Sequence, residues 1–163
     1  MRAGVLMAVL LLAACAGASP SPNDPVRILA TDVPLMEQPF TVGVVDNAVD
    51  YETGWQRTGR PGEPPTIDFA TEVAIYLGMA GSSSCPETFL HLVVDAEAAH
   101  VYGDWDSGAM MGRPCTDDLA GQGIVLAVSR SVLPQGEFRL TLREELMCSD
   151  CTDHPDQAFV DLR

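Results

Sequence analysis

Cysteine and histidine side chains with a spacing suited to chemistry lie near the C-terminal end of the sequence. Cys148, Cys151 and His154 follow one another at intervals of three residues. Two thiols at this spacing form a reactive dithiol, a local disulfide or part of a zinc site. Four acidic side chains surround them and disfavour the thiolate that redox chemistry needs: Glu144, Glu145, Asp150 and Asp153. We therefore expect a structural disulfide, and the alternative is a metal or small-ligand site made by the three residues.

The N-terminal segment has the parts of an export signal. Arg2 precedes an apolar stretch, Val5 to Ala14, which is shorter than the roughly 20 residues of a spanning helix. Its last residues, Leu-Ala-Ala, and the following Cys15 resemble the lipobox of bacterial lipoproteins. That resemblance implies a diacylglycerol thioether on Cys15 and an additional acyl chain, such as palmitate, on its amine. Two or more acyl chains hold a protein stably on a membrane, so we expect an anchor on the extracytoplasmic face of the cell membrane.

The lipobox-like motif and the proline-containing segment after it divide the sequence into three parts. Residues 1–14 form a lipoprotein signal peptide, and residues 15–25 form the lipidated cysteine and a flexible tether with three prolines. Residues 26–163 then form a single β-rich domain. Removal of the signal leaves 149 residues (163 − 14), a length that suits one domain with a real hydrophobic core.

Four cysteines remain besides Cys15. An even number in an exported chain predicts two disulfides, with three possible connectivities. We expect Cys85 to pair with Cys115, because each adjoins a proline in a loop that flanks central strands. We expect Cys148 to pair with Cys151 as a tight local bridge.

Charge and composition restrict the partners and the chemistry. The formal net charge of −14 predicts repulsion from nucleic acid and from anionic lipid headgroups, because binding to either needs positive charge. The acyl chains, not electrostatics, would therefore hold the protein at the membrane. The chain contains no lysine, which excludes a Schiff-base lysine, a Ser-Lys dyad and a phosphate-binding loop lysine.

Alternation of apolar and polar residues predicts a mainly β fold: an antiparallel β-sandwich or small barrel with one short helix, stabilised by disulfides. The predicted strands are Val26–Thr31, Phe40–Val45, Ile67–Leu77, Phe89–Asp95, Val101–Asp106, Ile124–Ser129, Phe138–Glu145 and Ala158–Leu162. The helix is predicted over Ala48–Arg57, with Asp46 or Asn47 as its N-cap. Val49 and Trp55 are expected to pack inward.

The stretch Thr66–Arg143 resembles a bacterial family of extracytoplasmic proteins related to the C-terminal domain of the B component of a protease complex. Four elements carry the resemblance: Trp55 before a proline-rich loop, Pro65–Phe69 opening a strand that ends at Gly78, Ser84–Glu87, and Ala127–Pro134. The resemblance implies a small β-rich module that supports another protein and is not itself a catalyst. The chain departs from the family where Gly81–Cys85 replaces a Gly-Gly-Tyr turn.

We expect the other candidate residues to have structural rather than functional roles. Asp104 and Asp106 resemble the start of a calcium loop, but the later acidic ligands are missing. The serine run Ser82–Ser84 lacks the glycines of a nucleophile elbow. His91 and His100 flank a predicted strand and are expected to be ordinary, partly exposed residues.

These observations predict a lipid-anchored, extracytoplasmic and non-enzymatic domain without a cofactor. Its expected partners are the membrane, through the lipid on Cys15, and another cell-envelope protein that it binds or stabilises, but not nucleic acid. The alternative function is a metal or small-ligand binding lipoprotein that uses Cys148, Cys151 and His154.

Overall fold

The computed structural model describes residues 24–33, 40–107, 114–116, 118, 120–144 and 157–162. Within these ranges the chain forms one α-helix and eight β-strands. They are β1 (Val26–Ala30), β2 (Phe40–Val45), α1 (Ala48–Arg57), β3 (Glu72–Gly81), β4 (Glu87–Asp95), β5 (His100–Ser107), β6 (Ala120–Ser129), β7 (Glu137–Thr141) and β8 (Gln157–Asp161). The prediction of a mainly β fold with one short helix is confirmed.

The strands form two four-stranded sheets. Sheet A has the order β1-β6-β3-β2 with antiparallel neighbours, and sheet B has the order β4-β5-β7-β8. In sheet B the inner pair β5–β7 is parallel, whereas β4–β5 and β7–β8 are antiparallel. The described strands form no closed barrel, so the sandwich is the correct one of the two predicted architectures.

The main hydrophobic core lies between the two sheets. Sheet A contributes buried side chains from β3 and β6, and sheet B contributes them from β4, β5, β7 and β8. The central ones are Val73, Ile75, Leu77, Leu126, Val101, Phe138 and Leu140. A second apolar cluster covers the opposite face of sheet A, where Tyr51, Trp55 and Ile67 pack on Ala74 and Val125. Sheet A is therefore buried on both faces, and β6 is buried at every residue from 123 to 128.

Helix α1 begins where the sequence predicts. The Asn47 side chain accepts a hydrogen bond from the backbone N–H of Asp50 at 3.0 Å, which caps the first turn. Trp55 packs inward as expected, but the prediction for Val49 is wrong, because that side chain is 74% exposed. At 100° per residue, Tyr51 and Trp55 share one helix face and Val49 lies on the opposite side.

The packing of Tyr76 against Gly54 explains why a glycine is tolerated inside this helix. A Cβ atom at this position would lie 2.9 Å from the hydroxyl oxygen of Tyr76 on β3. The missing side chain lets the Tyr76 hydroxyl approach the helix and donate a hydrogen bond to the carbonyl oxygen of Tyr51 at 3.3 Å. The glycine therefore sets how closely α1 packs on sheet A.

Several predicted strand boundaries are wrong. β3 ends at Gly81 rather than at Leu77, and β6 begins at Ala120 rather than at Ile124. β3 begins at Glu72 rather than at Ile67, because the carbonyl oxygen of Asp68 accepts hydrogen bonds from the N–H groups of residues 71 and 72 and holds a turn. β7 ends at Thr141 rather than at Glu145. The Thr141 hydroxyl donates to the carbonyl oxygen of Arg143 at 2.5 Å, which bends the chain out of the sheet.

Candidate functional site

The two sheets differ in what lies on their outer faces. Helix α1 and the loop that follows it cover the outer face of sheet A with an apolar cluster. The described residues form no comparable cluster on the outer face of sheet B. There, a row of side chains runs across all four strands through the registered partners Asp95, His100, Arg139 and Phe159. We name this surface the sheet B outer face.

His100 lies at the centre of this row and is only 6% exposed. Its Nε2 atom is 2.7 Å from the Thr141 hydroxyl oxygen, whose single hydrogen is donated to the Arg143 carbonyl oxygen. The Thr141 oxygen therefore accepts from His100, which places the imidazole hydrogen on Nε2. The free lone pair of Nδ1 faces Arg139, whose Nη2 donates to it at 3.4 Å. His100 is thus a neutral imidazole with both nitrogens engaged.

Burial and charge both favour this neutral form. Burial lowers the pKa of His100, the positive charge of Arg139 lowers it further, and the negative charge of Asp95 opposes them. The expectation that His91 and His100 are both partly exposed is wrong for His100, because pairing of β5 with β7 places it beside Arg139 and Thr141. His91 is exposed, and its Nδ1 atom lies 3.5 Å from a carboxylate oxygen of Asp104.

Aromatic side chains complete the sheet B outer face. The Tyr102 ring lies 5.0 Å from the His100 ring, at an interplanar angle of 40°. Burial and the negative charges of Glu144, Asp95 and Asp104 raise the pKa of the Tyr102 hydroxyl. Phe159 is 62% exposed on β8, while its neighbour Val160 points into the core. The face therefore combines rings, one guanidinium and carboxylates.

A second polar region surrounds the predicted disulfide between Cys85 and Cys115. Their sulfur atoms are at bonding distance, with the Cα atoms 5.6 Å apart, as the sequence-based pairing requires. The serine run and Thr116 form hydrogen bonds with one another and with the carboxylate of Asp118. Hydrogen bonds from the hydroxyls of Ser83 and Thr116 lower the pKa of Asp118. These hydrogen bonds join the loop that contains Cys85 to the segment that contains Cys115.

A polar cleft of about 380 Å³ lies at the edge of sheet A and is lined by Asp24, Pro25, Asp68, Thr71, Glu72, Ser129 and Ser131. Its carboxylates already have partners. Glu72 binds Arg27 through both oxygens, and Asp68 accepts from the backbone N–H of Ala70 and the Thr71 hydroxyl. In the described ranges, no group of three or more His, Cys, Asp or Glu side chains is arranged to hold a metal ion.

Several predicted site residues lie outside the described residues. They are Cys15, Cys148, Cys151 and His154, so lipidation, the second disulfide and the alternative metal site remain predictions. The described part of the chain contains no helix with the length and apolar character needed to cross a membrane.

The sequence revealed little of the sheet B outer face. It singled out His100, but not the contacts that bury it, and it did not single out Arg139 or Phe159. The alternation of side chains along β7 and β8 could have identified them. Phe138 and Val160 face the core, so their neighbours Arg139 and Phe159 must face outward. The chain matches no protein-family model, no curated protein and no solved structure.

Proposed function

We propose that this protein is a lipid-anchored, extracytoplasmic and non-enzymatic domain that binds another cell-envelope protein through the sheet B outer face. The observation that carries the proposal is the contrast between the two outer faces. Sheet A is covered by α1 and its loop, whereas on sheet B Phe159 is 62% exposed and Tyr102 and Arg139 are partly exposed around the buried His100. Aromatic side chains and arginine are the types enriched at protein interfaces.

The remaining polar groups support a binding role over a catalytic one. Both nitrogens of His100 are engaged with protein groups. The serine run is tied to Thr116 and Asp118. A general base and a nucleophile need lone pairs and protons available to substrate, and these residues direct theirs to neighbouring residues.

Charge favours a protein as the partner. A chain with a formal net charge of −14 is repelled by nucleic acid and by anionic headgroups. Lipidation of Cys15 would keep the domain close to other envelope proteins, which raises their effective concentration at the binding face.

Site-specific photocrosslinking in the bacterium that makes the protein tests this proposal. A photoreactive phenylalanine analogue replaces Phe159 in one strain and Val49 in the other. Both side chains are exposed, but Val49 lies on α1, over the opposite sheet. We expect a discrete protein adduct from position 159 that is absent from position 49. Equal labelling from both positions, or no adduct from position 159, would contradict the proposal.

A further inference from the structure

We propose that His100 is an acid-sensitive switch at the β5–β7 joint, where a proton gained at Nδ1 displaces Arg139 and loosens the parallel strand pair. The switch lies within the domain and needs no partner. The direction of the hydrogen bonds around His100 and the short length of the strand pairing support it.

The hydrogen-bond chain leaves one place for an added proton. Nε2 already carries its hydrogen, because the Thr141 oxygen that it contacts donates its own hydrogen to the Arg143 carbonyl oxygen. A second proton must therefore go to Nδ1, which now accepts from Arg139 Nη2 at 3.4 Å. After protonation two cationic donors would face each other with no acceptor between them, so the guanidinium must move.

The other charged groups around His100 do not remove this conflict. Asp95 on β4 is its registered neighbour. However, Asp95 Oδ1 accepts from the N–H groups of Glu97 and Ala98 at 3.0 and 2.9 Å, which holds the carboxylate in the turn. Tyr102, on the same strand, lies with its ring 5.0 Å from the imidazole at a tilted angle, and the pKa of its hydroxyl is raised, so it supplies no charge near neutral pH. Arg139 on β7 is therefore the charge that faces Nδ1.

The pairing between β5 and β7 is short, so repulsion between His100 and Arg139 affects a large part of it. β5 and β7 are paired through only three residue pairs: His100 with Arg139, Val101 with Leu140, and Tyr102 with Thr141. Two of these pairs contain a residue that is hydrogen-bonded to the His100 ring, Arg139 or Thr141. The same joint connects the β4–β5 hairpin to the β7–β8 pair within sheet B. Displacement of Arg139 therefore weakens the connection between the two halves of sheet B.

The direction of the pH effect follows from the lowered pKa of His100. An unfolded chain protonates His100 near its ordinary pKa of about 6.5, but the folded chain resists protonation. The stabilising contribution is therefore fully present above about pH 6.5 and is lost as the pH falls below that value toward the folded-state pKa.

Two measurements on the full-length protein test the switch. Imidazole NMR resonances report the titration of His100. Hydrogen exchange of the Arg139 amide, which donates to the Ala99 carbonyl oxygen at 2.9 Å, reports opening of the joint. We expect His100 to titrate below the ordinary histidine pKa of about 6.5. We also expect the protection factor of the Arg139 amide to fall by up to about tenfold for each pH unit between about pH 6.5 and the His100 midpoint, and to level off below that midpoint.

Three variants separate the switch from a merely structural role. His100→Gln retains a donor for Thr141 but does not titrate, so its joint should lose the acid-dependent opening. Arg139→Gln removes the opposing cation and should move the His100 midpoint upward. His91→Gln should behave like the wild type. Titration of His100 at or above the ordinary histidine pKa of about 6.5, or acid opening that persists unchanged in His100→Gln, would overturn the proposal. If His100→Gln does not fold, the wild-type titration alone decides the outcome.

Discussion

The indole Nε1 of Trp105 lies 2.4 Å from the position that a Cβ atom on Gly103 would occupy. The same position is 3.0 Å from the carbonyl oxygen of Leu142, to which the indole donates a hydrogen bond at 2.9 Å. Because Gly103 has no side chain, the Trp105 indole has room to form this hydrogen bond. The bond links β5 to the residues that follow β7. The Trp105 ring also packs edge-on against Phe89, so this contact supports one end of the core.

Substitution Gly103→Ala should destabilise the domain. The added methyl group must displace the indole or the Leu142 backbone, and overpacking of this kind costs about 1–3 kcal/mol. Gly43→Ala on β2 is the matched control, because nothing lies within 4 Å of a Cβ atom there. Urea unfolding measures both variants. A loss of stability in Gly43→Ala as large as that in Gly103→Ala would show that strand glycines in general, and not the Trp105 contact, set the cost.

The ion pair between Arg27 and Glu72 should contribute measurably to stability. Arg27 Nη2 contacts both oxygens of Glu72 at 2.8 and 2.9 Å and joins β1 to the start of β3. The side chains are only 20% and 16% exposed. Arg27→Met leaves a partly buried carboxylate without its main partner, so we expect a loss of about 1.5–3 kcal/mol in the free energy of unfolding.

A solvent-exposed contact provides the comparison for Arg27→Met. Asp104→Asn changes the contact between Asp104 and His91, whose side chains are 45% and 63% exposed, and should cost less than about 1 kcal/mol. Chemical denaturation near neutral pH compares the two variants. Equal losses would mean that partial burial and bidentate geometry add nothing to the Arg27 pair.

Loss of the Cys85–Cys115 bridge should destabilise the domain strongly. The bridge closes a loop with a sequence separation of 30 residues, which corresponds to about 3–4 kcal/mol in the chain-entropy model. The double variant Cys85→Ser, Cys115→Ser is compared with the wild type by urea unfolding. A loss below about 1 kcal/mol would show that the unfolded chain is not restricted by this link.

Mass spectrometry after alkylation of the non-reduced protein addresses Cys148 and Cys151. We expect no reagent to be incorporated, because both predicted bridges protect their thiols in an oxidising compartment. Alkylation of Cys148 and Cys151 alone would contradict the second disulfide. That result would favour the alternative metal or ligand site with His154.

Local sequence signals predicted most of the elements, and the errors arise from contacts across the fold. α1 was predicted with its observed bounds because Asn47 is a strong capping residue. Val49 was expected to be buried, but hydrophobicity alone does not select the helix face. The face is selected by Tyr51, Trp55 and the close approach of Tyr76 at Gly54.

The parallel β5–β7 pair is the feature that the sequence did not predict. Regular alternation in short strands indicates antiparallel neighbours, and strand order depends on contacts between distant parts of the chain. The burial of His100 follows from this pairing, since Arg139 and Thr141 come from β7. The prediction of an ordinary exposed histidine was therefore wrong because its neighbours are set by tertiary structure.

Lipidation of Cys15 should decide where the protein resides in the cell. Cys15→Ser removes the thiol that carries the diacylglycerol, so we expect loss of metabolic palmitate labelling and loss of the protein from the membrane fraction. The acidic body, with a formal net charge of −14, gives no electrostatic attraction to an anionic membrane that would replace the lipid. Cys148→Ser is the matched control and should retain both the label and the membrane association. Persistence of labelled, membrane-bound protein in Cys15→Ser would exclude Cys15 as the anchor.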